Sequence, residues 1–203
     1  MNRPLTVLAL FFCCAALLST GCGRKQENTT VNIISEKDYA KGLSLVALGE
    51  LVKKSSDART LEEELNKPNS INNLDLNEDD KVDYLKVTEY GKDNVRGLSI
   101  TDDVAPGETQ EIATIEISKS EQKADMAIAG NNTIYRDPGS MHYHSSFGLT
   151  DMLILGYLFS PRHTYWASPY GYGAYPRNYQ PYGVSPHNSY ANRVATYSKD
   201  SKF

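Results

Sequence analysis

The spacing of apolar residues changes character along this chain. From Ser35 to Lys54, "SEKDYAKGLSLVALGELVKK" places Leu45, Leu48 and Val52 on one helical face, which Leu43, Val46 and Leu51 broaden. Ser35 and Asp38 form a capping-box-like start, and Lys53 and Lys54 suit the negative end of a helix dipole. Gly42 and Gly49 weigh against that helix. "SSDARTLEEELNKP" predicts a second, shorter helix, with Leu61 and Leu65 one turn apart and a stop near Pro68. From Lys81 the period falls to two, and "VDYLKVTEY", "RGLSITDDV", "QEIATIEIS" and "KADMAIAG" predict successive strands over residues 82–129. Leu85 and Val87 share one side of the first strand, Tyr84 and Tyr90 the other. In the third, Ala113, Ile115 and Ile117 make the apolar face, and Ile112, Thr114 and Glu116 the opposite one. The connectors "GKDN" and "APGE" are short, which requires antiparallel neighbours. The fold class expected for residues 35–130 is therefore α+β, a helical pair over residues 35–67 packed on a small antiparallel sheet.

Residues 131–161 read as a loop over 131–150, broken by "DPGS", and then the apolar segment "LTDMLILGYLFSP" from Leu149 to Pro161. Too short to span a bilayer, that segment is either buried against the core or a membrane- or partner-contacting element; burial is the reading preferred. Residues 162–203 carry no aliphatic periodicity. Seven tyrosines and four prolines fall between Tyr165 and Tyr190, interleaved with Gly, Ser and Asn. This composition predicts a disordered, low-complexity tail. Tyrosine offers a flat apolar face and a hydrogen-bonding tip, so the alternative is a tail that touches cell wall, glycan or another envelope protein.

The first 28 residues, "MNRPLTVLALFFCCAALLSTGCGRKQEN", have a different logic. Arg3 precedes an apolar run from Leu5 to Leu18, small residues follow, and composition turns polar after Cys22. That is the layout of a secretory signal over residues 1–21, with residues 22–34 as a tether. The ending "LLSTGC" resembles the lipobox of bacterial lipoproteins, with Ser19 where a large aliphatic residue is usual and Gly23 after the cysteine. The resemblance implies acylation of Cys22, anchoring to a membrane in the cell envelope, and, in a host with two membranes, the outer one before the inner. All three cysteines lie within the first 22 residues, so the mature chain has one cysteine and no internal disulfide. One acyl chain anchors only marginally, at roughly 0.8 kcal/mol per buried methylene, so stable attachment takes several. The whole chain has a formal net charge of −4, and loss of Arg3 makes the mature balance about −5. Such a balance provides no general attraction to nucleic acid.

One stretch, "LDLNEDDKVDYLKV" from Leu74 to Val87, concentrates oxygen donors. Counting from Asp75, positions one, three, five and nine are Asp75, Asn77, Asp79 and Asp83, and position seven is Lys81, which offers a backbone carbonyl. Hard cations take six to eight oxygens, and donors at every second residue let one turn wrap several around an ion. The five carboxylates of Asp75, Glu78, Asp79, Asp80 and Asp83 also repel one another, and a divalent ion relieves that repulsion. The stretch resembles the calcium loops of EF-hands and dockerins and, with a strand following, the Asp-rich loops of FG-GAP repeats. The resemblance implies a Ca2+ site made by Asp75, Asn77, Asp79, the Lys81 carbonyl and Asp83. It departs from the EF-hand at position six, where Asp80 replaces glycine, and at position twelve, where Lys86 replaces the bidentate glutamate. The other reading is a solvated acidic turn. If the ion binds, the expected affinity is weak, on the order of 10⁻⁴ to 10⁻³ M.

No nucleophile elbow, P-loop, dinucleotide fingerprint or HExxH helix is present. His142 and His144 would point the same way on a strand, but lacking a third ligand they read as surface-loop residues. His163 and His187 sit in or beside the tail and point to nothing specific. The expectation is a non-enzymatic, lipid-anchored envelope protein with a structural or interaction role. The alternatives are a module that senses calcium or a small ligand, and an envelope hydrolase, which would need a histidine and a carboxylate converging in a cleft.

Overall fold

The computed structural model describes residues 42–136 and 141–199. The expected signal peptide, Cys22, the tether and the Ser35–Asp38 cap lie outside them. The first helix, α1 (Leu45–Lys54), starts well after Ser35, and its cap is Ser44, whose side chain accepts the Ala47 N–H. Gly42 sets the boundary. Its φ of 87° does not fit a right-handed helix, and a Cβ there would lie 2.7 Å from the Asn73 carbonyl oxygen. The second helix, α2 (Ala58–Leu65), is capped by Asp57, which accepts the Thr60 N–H at 2.7 Å.

Five strands follow: β1 (Leu85–Lys92), β2 (Val95–Ala105), β3 (Glu108–Lys119), β4 (Lys123–Gly130) and β5 (His142–Gly148). They form one antiparallel sheet in sequence order, so the molecule is a mixed α+β fold. Its turns follow from local chemistry. Asp93 takes a left-handed φ of 54° in the two-residue turn between β1 and β2, and Pro106-Gly107, with Gly107 at 80°, joins β2 to β3.

The inner face of the sheet carries Leu85, Val87, Leu98, Ile100, Ile115, Ile117, Met126 and Ile128, and joins Leu48, Val52, Leu61 and Leu65 of the helices in one core. Ile112, placed by alternation on the polar side, is fully buried beside Ala113. The register explains this: Ile100 pairs with Ala113 but Thr101 with Glu111, which leaves Ile112 as an unpaired bulge residue.

β5 corrects the loop expected over residues 131–150. His142 and His144 are strand residues, exposed on its outer side, while Tyr143 between them is buried opposite Ile128. The apolar segment gives only a short helix, α3 (Ile154–Leu158), with Ile154, Leu155 and Leu158 buried and Leu153 65% exposed. Among the described residues, no helix is long and apolar enough to cross a membrane.

The segment expected to be a disordered tail is folded against the domain over residues 162–199. Glu89 N–H donates to the Trp166 carbonyl at 2.7 Å, and Ser168 N–H to the Val87 carbonyl at 3.1 Å, so residues 166–168 pair along the outer edge of β1. Val82 N–H donates to the Tyr182 carbonyl, and Ser185 and Asn73 exchange two hydrogen bonds. The chain then enters a last helix, α4 (His187–Lys199), whose Tyr190 and Val194 are buried in the core. The Tyr190 hydroxyl donates to the Ile71 carbonyl at 2.8 Å and accepts the Ser44 N–H at 3.1 Å.

Candidate functional site

The acidic loop hangs between α2 and β1, and its base is closed by backbone: Asp83 N–H donates to the Leu74 carbonyl at 2.8 Å. Asn72 braces that closure, donating to the Asp83 carbonyl and accepting the Leu74 N–H. Within the loop the short polar side chains bind the amides ahead of them. Asp75 accepts Asp79 N–H on Oδ1 and Asp80 N–H on Oδ2, each at 3.0 Å. Asn77 Oδ1 also accepts Asp79 N–H, and Asp79 Oδ1 accepts Lys81 N–H. Asp80, the sixth residue from Asp75, has φ of 63°, and Glu78 has 60°. Aspartate tolerates this region better than most side chains, so Asp80 makes the sharp turn that the resemblance assigns to glycine.

The fold thus gathers Asp75, Asn77 and Asp79 around shared amides. Lys81 bridges to Gly183, and its ammonium lies 3.8 Å from Asp79. Asp83 is placed differently. It is 7% exposed, and its Oδ2 accepts Leu76 N–H at 2.5 Å. Its carboxyl faces that of Asp102, which is 3% exposed, stands opposite Leu85 in the sheet and has its Oδ2 buried without a hydrogen-bond partner among the described residues. Among the described residues, no three His, Cys, Asp or Glu side chains form a group that could hold a metal ion.

Asp83 and Asp102 make a buried carboxyl pair. Burial pushes Asp83 up to about 6; the charges of Asp75 and Asp79 push the same way, and the Leu76 amide opposes them. Asp102 is pushed up to about 7 by burial first, then by the charges of Asp83 and Asp103. Lys86 is the nearby cation, but Asp103 grips it at 2.6 and 2.7 Å. Below neutral pH the pair therefore holds protons that an exposed aspartate would have released.

A second cluster fastens residues 162–168. His163 Nε2 lies 2.5 Å from Glu89 Oε2, with side-chain exposures of 5% and 0%. Tyr157 and Tyr165 stand edge-on to the imidazole at 4.7 and 5.3 Å. Burial, and the Glu89 carboxylate after it, push the Tyr157 hydroxyl up to about 12. A histidine and a carboxylate therefore do meet. They are sealed under aromatic rings and line none of the three cavities described for this fold. Glu62 of α2 is a further buried carboxylate. It accepts Val87 N–H, the Tyr84 hydroxyl and the Ser168 hydroxyl at 2.8–3.0 Å, tying α2, β1 and the C-terminal segment to one group. Burial raises it above the ordinary glutamate value, and these donors partly offset the rise.

None of Glu62, Glu89, Asp102 and His163 was singled out by motif. Parity contained a signal: Glu89 follows Leu85 and Val87, and Asp102 follows Leu98 and Ile100, at steps of two on the inward face. Glu62 lies four residues after Ala58 on the buried helix face. His163 had no such signal, because its position depends on pairing with a distant edge. Compared with known proteins, this chain matches no family model, no curated protein and no solved structure.

Proposed function

We propose that this chain is a lipid-anchored envelope protein with a structural or interaction role, held at a membrane through Cys22. In this reading its acidic loop takes a weakly held calcium ion that stiffens the junction of α2 and β1. The observation that carries the ion is the loop's conformation. Asp75 binds the amides of Asp79 and Asp80, and Asp80 adopts positive φ at the sixth position, as the calcium loops it resembles require. The observation that carries the anchor is the lipobox-like "LLSTGC", with all three cysteines confined to residues 13–22.

Two measurements test the two halves. Cys22→Ala should move the protein from the membrane fraction to the soluble fraction of the host; unchanged fractionation would remove the anchor. Tyr84 and Tyr179 lie beside the loop, and Tyr179 donates to the Val82 carbonyl at 3.2 Å. Terbium should therefore give sensitised emission that calcium displaces at about 10⁻⁴ to 10⁻³ M. A double Asp75→Ala, Asp79→Ala variant should abolish it; emission indifferent to that change would remove the ion site.

A further inference from the structure

A cavity of about 430 Å³ opens where α2, the start of β1 and the C-terminal segment meet. Its aromatic wall is Tyr84, Tyr170 and Tyr179. Tyr170 and Tyr179 meet the Tyr84 ring edge-to-face, at 5.9 Å and 80° and at 4.9 Å and 82°. Two of these rings are fixed from behind. The Tyr84 hydroxyl is committed to Glu62 and the Tyr179 hydroxyl to the Val82 carbonyl. Asn66, also on the wall, spends its amide on the Glu62 and Leu85 backbone. The wall therefore presents pre-set ring surface, chiefly that of the half-buried Tyr170 and Tyr179, with the Tyr84 and Tyr179 hydroxyls and the Asn66 amide already committed.

The rim differs. The side-chain amides of Asn178 and Gln180 line the opening and make no hydrogen bond among the described residues, so each has donors and an acceptor to spare. On the α2 side, Arg59 is paired with Glu63 at 3.0 Å, and Lys67 with Glu64. Charge around the mouth is balanced, so nothing there selects an anion. Arg59 and Lys67 on the lining are matched by Glu62 and Glu63, so nothing there selects a cation either. Rigid ring faces beside uncommitted amides, in a charge-balanced mouth, suit a neutral molecule with one apolar face and many hydroxyls. The volume falls at the lower end of the range for small-ligand sites, roughly 300–1,000 Å³.

From this we infer that the Tyr84–Tyr170–Tyr179 cavity binds a neutral saccharide of about two sugar units. The sugar's apolar face lies on the rings, and Asn178 and Gln180 take its hydroxyls. The inference deepens the interaction role proposed above and rests on it only for where a glycan would be met; it needs neither the acyl chain nor the ion. The test uses the full chain with Cys22→Ala, so that failure of the anchor cannot affect the result. Chitobiose, cellobiose and maltose are titrated separately by calorimetry and by NMR of the tyrosine rings, with tetramethylammonium chloride as the competing class. At least one disaccharide should bind with a dissociation constant in the millimolar range and shift the Tyr170 and Tyr179 ring signals. The double variant Asn178→Ala, Gln180→Ala changes only exposed side chains and should weaken it by about tenfold or more. Three results overturn the inference: no disaccharide acting up to about 20 mM, equal binding by the double variant, or occupancy by tetramethylammonium alone.

Discussion

Asp83 and Asp102 show what the fold does to single residues. Both are raised above the ordinary aspartate value, to about 6 and about 7, so between pH 4 and 7 the folded chain holds protons that the unfolded chain releases. A raised acid favours folding at low pH, and that advantage is lost as pH rises through the folded values. Glu62 acts in the same direction. Asp57 and Asp103 are lowered, so their contribution is lost only as pH falls below the usual carboxylate range, outside this window. The urea midpoint of the full chain should therefore fall from about pH 5 to about pH 8, with a slope of up to roughly 1.4 kcal/mol per pH unit for each proton. Asp102→Asn removes one acid and leaves an amide that can donate to Asp83, and should flatten the slope. An equal slope in wild type and variant would show that the pair does not govern it.

At the scale of elements, the outer edge of β1 is the feature that organises the C-terminal segment. An uncovered edge presents unpaired N–H and C=O groups and invites pairing with other chains. Here residues 166–168 cover it, with His163 locked onto Glu89 just before that pairing begins. Removing one partner of a buried pair leaves the other group desolvated and uncompensated. His163→Ala should cost about 3–5 kcal/mol and speed proteolysis within residues 162–168. His163→Ala combined with Glu89→Gln should cost less than His163→Ala alone, because the stranded charge is gone. A double variant as damaged as the single one would assign the cost to lost packing instead.

For the molecule as a whole, the C-terminal segment completes the domain. It supplies Tyr190 and Val194 to the core, caps α1 through the Tyr190 hydroxyl, covers the β1 edge and braces the acidic loop through residues 182–185. Deleting residues 162–203 should destabilise by at least about 5 kcal/mol, since burial of one large aromatic is worth about 3–5 kcal/mol. For a chain of this size that is a fall of roughly 10–20 °C in Tm, with aggregation through the bared edge. A truncated chain that melts at the wild-type temperature would make the segment an accessory.

The sequence by itself determined the elements whose information is local. α2 and β1 to β4 lie within a few residues of where periodicity puts them, since capping, alternation and two-residue turns act between near neighbours. The loop's donors were legible for the same reason: Asp75, Asn77 and Asp79 bind amides two to five residues away. Only the tertiary structure decided the rest. β5 and the edge pairing of residues 166–168 take their order from β4 and β1, and Ile112 is turned inward by a bulge that exists only because β2 is its partner. Asp83 is buried beside Asp102, nineteen positions later in the chain, while Asp75 and Asp79 stay on the surface of the loop. Tyr-, Pro- and Gly-rich composition shows that a segment cannot build a core alone; it does not show whether a distant sheet edge and core will receive it. That depends on hydrogen-bonding groups and buried surface contributed by residues far away in sequence, and only folding brings them together.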